Sequence, residues 1–404
     1  MGDPSRVRVT GPLMPYAEGF RAQLADQGYA PFSACAQLRL AAHLSRWLAL
    51  RGLSAGNLTD EVAADFIQER REAGHRRLAS AKALVPLLGY LLAVDARPSP
   101  PALIPSTPTE ELCERFRAYL SAERGLAART ATGYLHALRP FLIARTAPNG
   151  DLALEDLGPG EIASFVVAHC PSLPRGSAKL LAVALRSLLA FLHVEGIVGG
   201  SLASCVPTVA SWRLSGLPRA LAPEEVRSLL GSCEGRGGVG LRDRAVLLLL
   251  VRLGLRAGEV AGLELSDIDW RGGDLVVRGK GDRAERLPLP DEVGRAVASY
   301  LHQARPARCQ SRMVFLRVKA PWRGLSGGGV TMLVAGAARR AGLGAIYAHR
   351  LRHTAACELL RAGSSLEEIG QLLRHRSALT TAIYAKVDRR ALRTLARPWP
   401  EQGR

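Results

Sequence analysis

Two proline-rich stretches divide this chain of 404 residues into three segments. The first stretch, RPSPPALIPSTP, covers 97–108, and the second, VPTVASWRLSGLPRALAP, covers 206–223. Proline breaks helices and cannot donate a backbone hydrogen bond, so both stretches are predicted to contain linkers. Since 404 residues exceed what a single core usually holds, the length also favours two or three domains.

The first two segments carry the apolar spacing of helices, three and four residues apart, without sustained alternation. The second opens with a helix start signal, in which Thr107 is the predicted cap and Pro108 lies in the first turn. Three matches recur between the segments at offsets of 96, 100 and 97 residues: FRAQL and FRAYL, EVAADFI and EIASFV, SAKALVPLLGYLLAV and SAKLLAVALRSLLAFLHV. Because their order and spacing are kept, we predict a duplicated helical module.

The third segment changes character at 267–290, where DIDWRGGDLVVRGKGDRAERLPLP separates short apolar stretches by glycine-rich turns. This pattern predicts a small antiparallel sheet with a hairpin. The predicted fold is therefore mainly α, with two helical N-terminal modules and an α+β C-terminal domain that contains the sheet. The predicted modules are 1–96 and 109–206, the C-terminal domain is 218–404, and the linkers are 97–108 and 207–217.

The charge of the chain favours a polyanionic partner. Lys and Arg number 54 against 36 Asp and Glu, a net charge of +18, which suits either nucleic acid or an acidic membrane surface. The longest apolar run, AVLLLLV at 245–251, is too short to span a bilayer, and the N-terminus lacks the apolar core of a secretory signal. We therefore expect a cytoplasmic protein without a membrane partner.

No metal or other cofactor is expected from the residue pattern. The seven cysteines are scattered and never spaced as C-x-x-C, so neither a disulfide framework nor a zinc site is predicted. Asp267, Asp269 and Asp274 could suggest a metal site. In a strand and turn context, however, these carboxylates are expected to bond backbone groups and arginines.

Four stretches of the third segment, LGLRAGEVAGLELSDIDW, VRGKGDRAERLPL, AHRLRHT and RHRSALTTAIY, carry side chains that suit phosphodiester chemistry. These side chains are Arg256, Lys280, His349, Arg352, His375 and Tyr384. Taken singly, each has an ordinary alternative: a helix cap, a solvated turn residue, a structural histidine or a half-exposed packing tyrosine. Taken together, six suitable residue types at this spacing are hard to explain as packing.

Arginine and lysine suit different steps of such a reaction. The planar fork of arginine binds two phosphate oxygens and keeps its proton, so Arg256 and Arg352 fit a phosphate clamp. Lys280 can donate the proton that a departing 5′ oxygen needs, and it is one of five lysines in a chain with 49 arginines.

The tyrosine and the histidines complete the set. Tyr384, a phenol with a pKa of about 10, is a poor nucleophile at neutral pH, but nearby guanidiniums favour the phenolate. His349 is placed to take the tyrosine proton or to orient the attack, and His375 to hydrogen-bond the phosphate.

In these residues and their order the chain resembles the tyrosine recombinases, also called the phage integrase family. The resemblance covers about 217–386, and the second helical module looks like the core-binding domain of that family. Glu259 and His353 also match the family pattern and are expected to support the segments that carry the arginines. The departures are Arg374, which stands where the family usually has glycine, and the extra first module.

The resemblance implies a site-specific DNA recombinase that cleaves and rejoins DNA through a 3′-phosphotyrosyl link on Tyr384. Such a link keeps the energy of a phosphodiester, so neither ATP nor a metal is required. The resemblance further implies a clamp around double-stranded DNA at a recombination site. It also implies a tetramer on two duplexes, the tail after Tyr384 docked on a neighbour, and a possible need for partner recombinases.

Several functions remain open at this point. The extra module favours the integrase or transposase of a mobile element over a chromosome-dimer resolvase, and a type IB topoisomerase-like relaxing enzyme is a related alternative. A non-catalytic DNA-binding accessory protein is the alternative from another class, and the intact six-residue set argues against it. The extra module itself could bind DNA or dock a partner protein; its arginines around His75 favour DNA.

Overall fold

The computed structural model describes residues 3–99, 107–209, 217–279, 284–375, 377–388 and 392–393. The fold is mainly helical with a small antiparallel sheet, which confirms the predicted fold class. The chain forms two compact units, one made of 1–100 together with 216–404 and the other of 101–215. Lys280 lies outside the described residues, as do most positions after 388.

The first helical module is built around its own apolar core. Its α-helices are α1 (Ala17–Asp26), α2 (Pro31–Leu50), α3 (Asp60–Glu72) and α4 (Ala81–Ala93). The side chain of Thr59 caps α3 by accepting a hydrogen bond from Val62 N at 3.2 Å. Phe20, Leu44 and Leu84 are buried between the helices, as their helical spacing predicts.

The turn between α1 and α2 contacts the C-terminal part of the same unit. Trp322 N donates to Gln27 O at 2.9 Å, and the Trp322 ring lies against Gly28. Gly28 has φ +79°, and a Cβ added there would lie 2.0 Å from the ring. Glycine is therefore required at this position both by the backbone conformation and by the close approach of the indole.

The second unit is a separate helical bundle. Its α-helices are α5 (Pro108–Ala122), α6 (Ala128–Arg145), α7 (Pro159–His169) and α8 (Arg175–Val194). The start signal read from the sequence is confirmed, because the Thr107 side chain accepts from Glu110 N at 3.2 Å and Pro108 begins the helix. Phe116, Phe141 and Leu185 lie in the core that the bundle encloses.

Helix α8 is, among the described residues, the one helix long and apolar enough to cross a membrane. Half of its apolar window is buried inside the protein, where Leu185, Leu188 and Leu192 belong to the core of the second unit. Core helices of globular domains meet the same criteria of length and composition, so this is weak support for a membrane span.

The C-terminal part is mixed α and β. Its elements are α9 (Pro223–Gly231), α10 (Gly237–Arg252), α11 (Ala257–Ala261), β1 (Ile268–Asp269), β2 (Asp274–Arg278), β3 (Ala284–Pro288), α12 (Asp291–Gln303), α13 (Gly327–Arg340), α14 (Ala348–Arg361), α15 (Leu366–Leu372) and α16 (Ala378–Thr381). The apolar run at 245–251 lies in α10 and is almost fully buried, so it forms the centre of this domain.

The three strands form the antiparallel sheet that the sequence predicts. The strand order is β1-β2-β3, and Leu275 faces Leu287 in the register of the hairpin. Asp267 accepts from Arg278 at 2.6 Å, and Asp269 accepts from two backbone N–H groups of the turn. These two carboxylates thus bond arginine and backbone groups, as expected.

Candidate active site

A cavity of about 1430 Å³ opens between α11, the hairpin strands, α15 and α16. The charged and polar side chains that line it are Arg256, Glu259, Arg278, Glu285, Glu367, Gln371, Arg374, His375 and Thr381. Arg278 and Glu285 flank the hairpin turn that carries Lys280, so the described ends of that turn face the cavity. Of the six predicted residues, Arg256 and His375 line the cavity directly.

Arg256 presents its guanidinium at the cavity from the start of α11. Its backbone N–H donates to Oε2 of Glu259 at 2.8 Å, and its Nη1 donates to Oε1 at 2.6 Å. Its side chain is 47 % exposed, whereas that of Glu259 is 5 % exposed. Burial by itself raises the pKa of Glu259, but the Arg256 N–H and the charges of Arg374 and Arg256 outweigh it, so the net pKa lies below its usual value.

Arg352 lies on the buried face of α14. Its Nη1 donates to Gly254 O at 2.5 Å, and its Nη2 donates to Leu373 O. Gly254 has φ +58°, and a Cβ there would lie 2.5 Å from the Leu373 side chain, so only glycine fits this junction after α10. Burial and the charge of Arg256 lower the pKa of Arg352 to about 10, which still leaves the guanidinium charged at neutral pH.

Tyr384 is fully buried rather than half exposed. It lies on a 3₁₀ helix, Ala382–Val387, and packs in a small cluster with Ala356, Cys357, Ile369 and Leu373. Burial raises the pKa of the phenol to about 12, although the positive charge of Arg352 opposes this effect. The hydroxyl is thus held protonated at neutral pH.

His353 is the hydrogen-bond partner of Tyr384, a contact that sequence reasoning missed by giving His353 only a supporting role. Its Nδ1 lies 2.9 Å from the hydroxyl, and with the imidazole proton on Nε2 this nitrogen accepts the phenolic O–H. Burial, His349 and Arg352 lower the pKa of His353 to about 4. Moving the proton from this phenol to this imidazole is unfavourable in this arrangement, so His353 orients the hydroxyl as its hydrogen-bond acceptor.

The other two histidines lie beside this pair. His349 is exposed on α14, and its ring meets that of His353 edge to face with centroids 4.4 Å apart. His375 accepts or donates a hydrogen bond at 2.7 Å between its Nδ1 and Thr381 Oγ1, and its ring is parallel to that of Tyr384 at 6.5 Å. Burial, together with Arg352 and Arg256, lowers the pKa of His375 to about 4.

Arg374 is the second residue whose place was missed. The sequence marks it only as a departure from the family pattern, yet its side chain is 4 % exposed and its Nη2 donates to Glu259 Oε2 at 2.7 Å. The backbone of Arg374 is left-handed, with φ 55°. The one signal in the sequence was a basic residue at the position where the family pattern has glycine. That its side chain is turned inward is seen only in the structure.

We expect the stability of the C-terminal part to fall as the pH falls from about 6.5 to about 4. His353 and His375 have folded pKa values of about 4, below the ordinary 6.5, so the unfolded chain binds more protons in this window. Thermal unfolding followed by circular dichroism at a series of pH values measures this. His353→Asn should flatten the pH dependence, while His302→Asn, a change at an exposed residue near the end of α12, should not. Parallel pH curves for both variants would contradict the assignment.

Comparison with known proteins identifies relatives along nearly the whole chain. The model of the phage integrase family matches residues 219–390, and that of the phage integrase N-terminal SAM-like domain matches 113–196. A Sinorhizobium fredii protein whose name marks it as a candidate integrase/recombinase, y4rA, is 40% identical over 97% of this chain and 96% of its own length. Tyrosine recombinase XerD of Mycobacterium tuberculosis is 35% identical over 68% of this chain and 92% of its own.

A solved structure shares the fold. The lambda integrase tetramer bound to a Holliday junction has a TM-score of 0.52 and 21% identity, covering 75% of this chain and 88% of that one. The protein combines a helical domain, a small sheet, and arginines and histidines around a tyrosine. This combination defines the tyrosine recombinases, the class of enzymes that cleave and rejoin DNA. The chain belongs to the phage integrase family.

Proposed function

We propose that this chain is the site-specific recombinase of a mobile element and that it cleaves DNA through a 3′-phosphotyrosyl link on Tyr384. The observation that carries the proposal is that the Tyr384 phenol is bonded to His353 and lies beside His375. His375 lines one cavity together with the guanidiniums of Arg256, Arg278 and Arg374. In the proposed step the phenolic oxygen bonds to phosphorus while the bond from phosphorus to the 5′ oxygen breaks. The reverse attack by a 5′-hydroxyl rejoins the strand.

The proposed roles follow the residue chemistry. Arg256 and Arg352 bind the scissile phosphate, Lys280 gives a proton to the 5′ oxygen, and His375 hydrogen-bonds the phosphate. His349 takes the phenolic proton or orients the attack. The two carbonyl bonds of Arg352 use two of the five N–H groups of a guanidinium, so donors are left for a phosphate.

Double-stranded DNA is the proposed partner, bound by four protomers around two duplexes in the cytoplasm. The net charge of +18 supports a polyanionic partner, and phosphate contacts would make the affinity fall with salt. The likeness to an integrase solved as a tetramer on a Holliday junction supports the assembly. The docking of the tail after Tyr384 on a neighbour stays a prediction from the family resemblance. The likeness to the integrase/recombinase y4rA covers the first module as well.

The proposed function is tested by mapping the footprint and the covalent cleavage position on the DNA that flanks the coding sequence. We expect a protected segment with a cut inside it and the protein joined to the 3′ phosphate. A footprint without any adduct would favour the non-catalytic DNA-binding alternative. Relaxation of supercoiled DNA without a preferred site would favour the topoisomerase-like one.

The domain division remains part of the proposal, with the module at 1–96 binding DNA outside the core site. The structure narrows the arginines available for this role. Arg71 Nε donates to Ala79 O at 2.7 Å and Arg51 lies 4.0 Å from the centre of the Trp47 ring, so these two support the module itself. Exposed Arg76 and Arg77, at the turn before α4, are the candidates that we propose. The Arg77 guanidinium lies 5.6 Å from the centre of the Phe32 ring, farther than Arg51 lies from Trp47.

Replacing Arg76 and Arg77 together by Gln should weaken DNA binding and shorten the footprint at one end. Each lost phosphate contact lowers the slope of log affinity against log salt by about 0.9. The measurement is a salt titration by fluorescence anisotropy. Arg6→Gln/Arg8→Gln, also exposed in this module, is the matched control. An unchanged slope and footprint would instead favour docking of a partner protein on this module.

A further inference from the structure

Arg374 is held by a closed set of bonds at the rim of the cavity. Its Nη2 donates to Glu259 Oε2 at 2.7 Å and its Nη1 to Leu372 O at 2.9 Å. Its own carbonyl accepts from Arg256 Nη2 at 3.4 Å. Glu259 completes the ring, because its Oε1 accepts from Arg256 Nη1 at 2.6 Å. One carboxylate therefore joins two guanidiniums that lie 118 residues apart in the sequence.

The ion pair between Arg374 and Glu259 matters because both side chains are buried. The side chains of Arg374 and Glu259 are 4 % and 5 % exposed, whereas that of Arg256 is 47 % exposed and faces the cavity. Removing one partner of a buried ion pair leaves a charge without compensation, which is strongly destabilising for the geometry around it. With Arg374 absent, Glu259 would be free to shift toward Arg256 and draw its guanidinium away from the cavity.

The backbone conformation of Arg374 also indicates that its side-chain bonds matter. Arg374 adopts φ 55°, a left-handed conformation that is strained for a residue other than glycine. A glycine would take this conformation at no steric cost, so the side-chain bonds of Arg374 must offset the strain. The same turn leads directly into His375, whose imidazole is fixed by Thr381. Arg374 thus connects the position of the Arg256 guanidinium with the position of the His375 ring.

We propose that Arg374 is a positioning residue for DNA cleavage, which orients Arg256 through Glu259 and His375 through its own backbone. The positioning role rests on the proposed function, and it adds Arg374 to the residues that serve DNA cleavage. Arg374 lines the cavity, but its side chain is 4 % exposed and its Nη1 and Nη2 are bonded to Leu372 O and Glu259 Oε2, so we assign it no direct contact with the phosphate. Its loss should therefore slow the chemical step more than it weakens DNA binding.

The test compares single-turnover cleavage of a nicked DNA substrate with equilibrium DNA binding. Displacing a reacting group by about 1 Å can cost about 10²-fold in rate, so we expect Arg374→Gln to slow cleavage by about 10–10²-fold with little change in affinity. Arg374→Lys, which keeps a charge for Glu259, should recover part of the rate. Arg227→Gln, a change in the exposed pair with Glu224 on α9, is the control and should cleave normally.

A double-mutant cycle separates positioning from general support of the fold. If Arg374 acts through Glu259, Arg374→Gln/Glu259→Gln should cleave about as slowly as the slower single variant. Glycine suits the left-handed backbone, so Arg374→Gly should fold even if Arg374→Gln does not. Arg374→Gly should also cleave more slowly while its DNA affinity changes little. Full cleavage by Arg374→Gly, additive effects in the cycle, or equal losses of affinity and rate would each overturn the proposal.

The outcome for the wild-type protein distinguishes this inference from the proposed function. A wild-type protein that forms no adduct on Tyr384 would refute the proposed function and the positioning role with it. Normal wild-type adduct formation together with normal cleavage by Arg374→Gln and Arg374→Gly would refute the positioning role alone.

Discussion

Tyr384→Phe will bind recombination-site DNA with nearly wild-type affinity and will form no covalent adduct. The change keeps the ring that packs with Cys357 and Leu373 and removes only the hydroxyl, which is the proposed nucleophile. It also removes the partner of His353 Nδ1, and an unsatisfied buried acceptor costs about 1–3 kcal/mol, so a lower melting temperature is expected. A nicked suicide substrate and a denaturing gel measure the adduct as a shifted protein band.

Tyr347→Phe provides the matched control for this experiment. Tyr347 precedes α14 and is 55% exposed, so its hydroxyl is expected to play no part in the reaction. This variant should give the same shifted band as the wild type. A covalent adduct formed by Tyr384→Phe would refute the nucleophile assignment, and peptide mapping of that adduct would then identify the residue that carries the DNA.

Lys280→Ala should slow cleavage by about 10²–10⁴-fold, the usual contribution of a general acid, and should change DNA affinity much less. The reason is chemical: a 5′ alkoxide is a poor leaving group, and lysine is the proposed source of its proton. A substrate with a 5′-bridging phosphorothiolate has a sulfur that leaves without a proton. It should therefore restore much of the lost rate. Rates on the oxygen and sulfur substrates are measured under single-turnover conditions.

Lys319→Ala tests whether the effect belongs to Lys280 or to any lost positive charge. Lys319 is exposed, and its replacement should leave both rates unchanged. If Lys280→Ala is equally slow on the oxygen and the sulfur substrates, the proton comes from another residue. Arg278 and Glu285, at the described ends of the hairpin, line the cavity.

Much of the fold was predictable because its signals are local. Helical spacing, the Thr107 cap and the glycine-rich turns of the hairpin depend on neighbours a few residues away, and the structure confirms the helices, that cap and the sheet. Residue chemistry also identified the candidate set, since the choice of arginine, lysine, histidine and tyrosine reflects what each group can do to a phosphodiester.

The sequence by itself determined the family, the residue types and their order, and tertiary structure alone decided how those residues meet. Whether Tyr384 is bonded to His349 or to His353 depends on how α14 and the 3₁₀ helix pack, because the two histidines lie one turn apart on the same face of α14. The inward direction of Arg374 likewise depends on Glu259, 115 residues away. Spacing along a chain reports local geometry, whereas burial and the pairing of distant charges arise only when separate elements pack together.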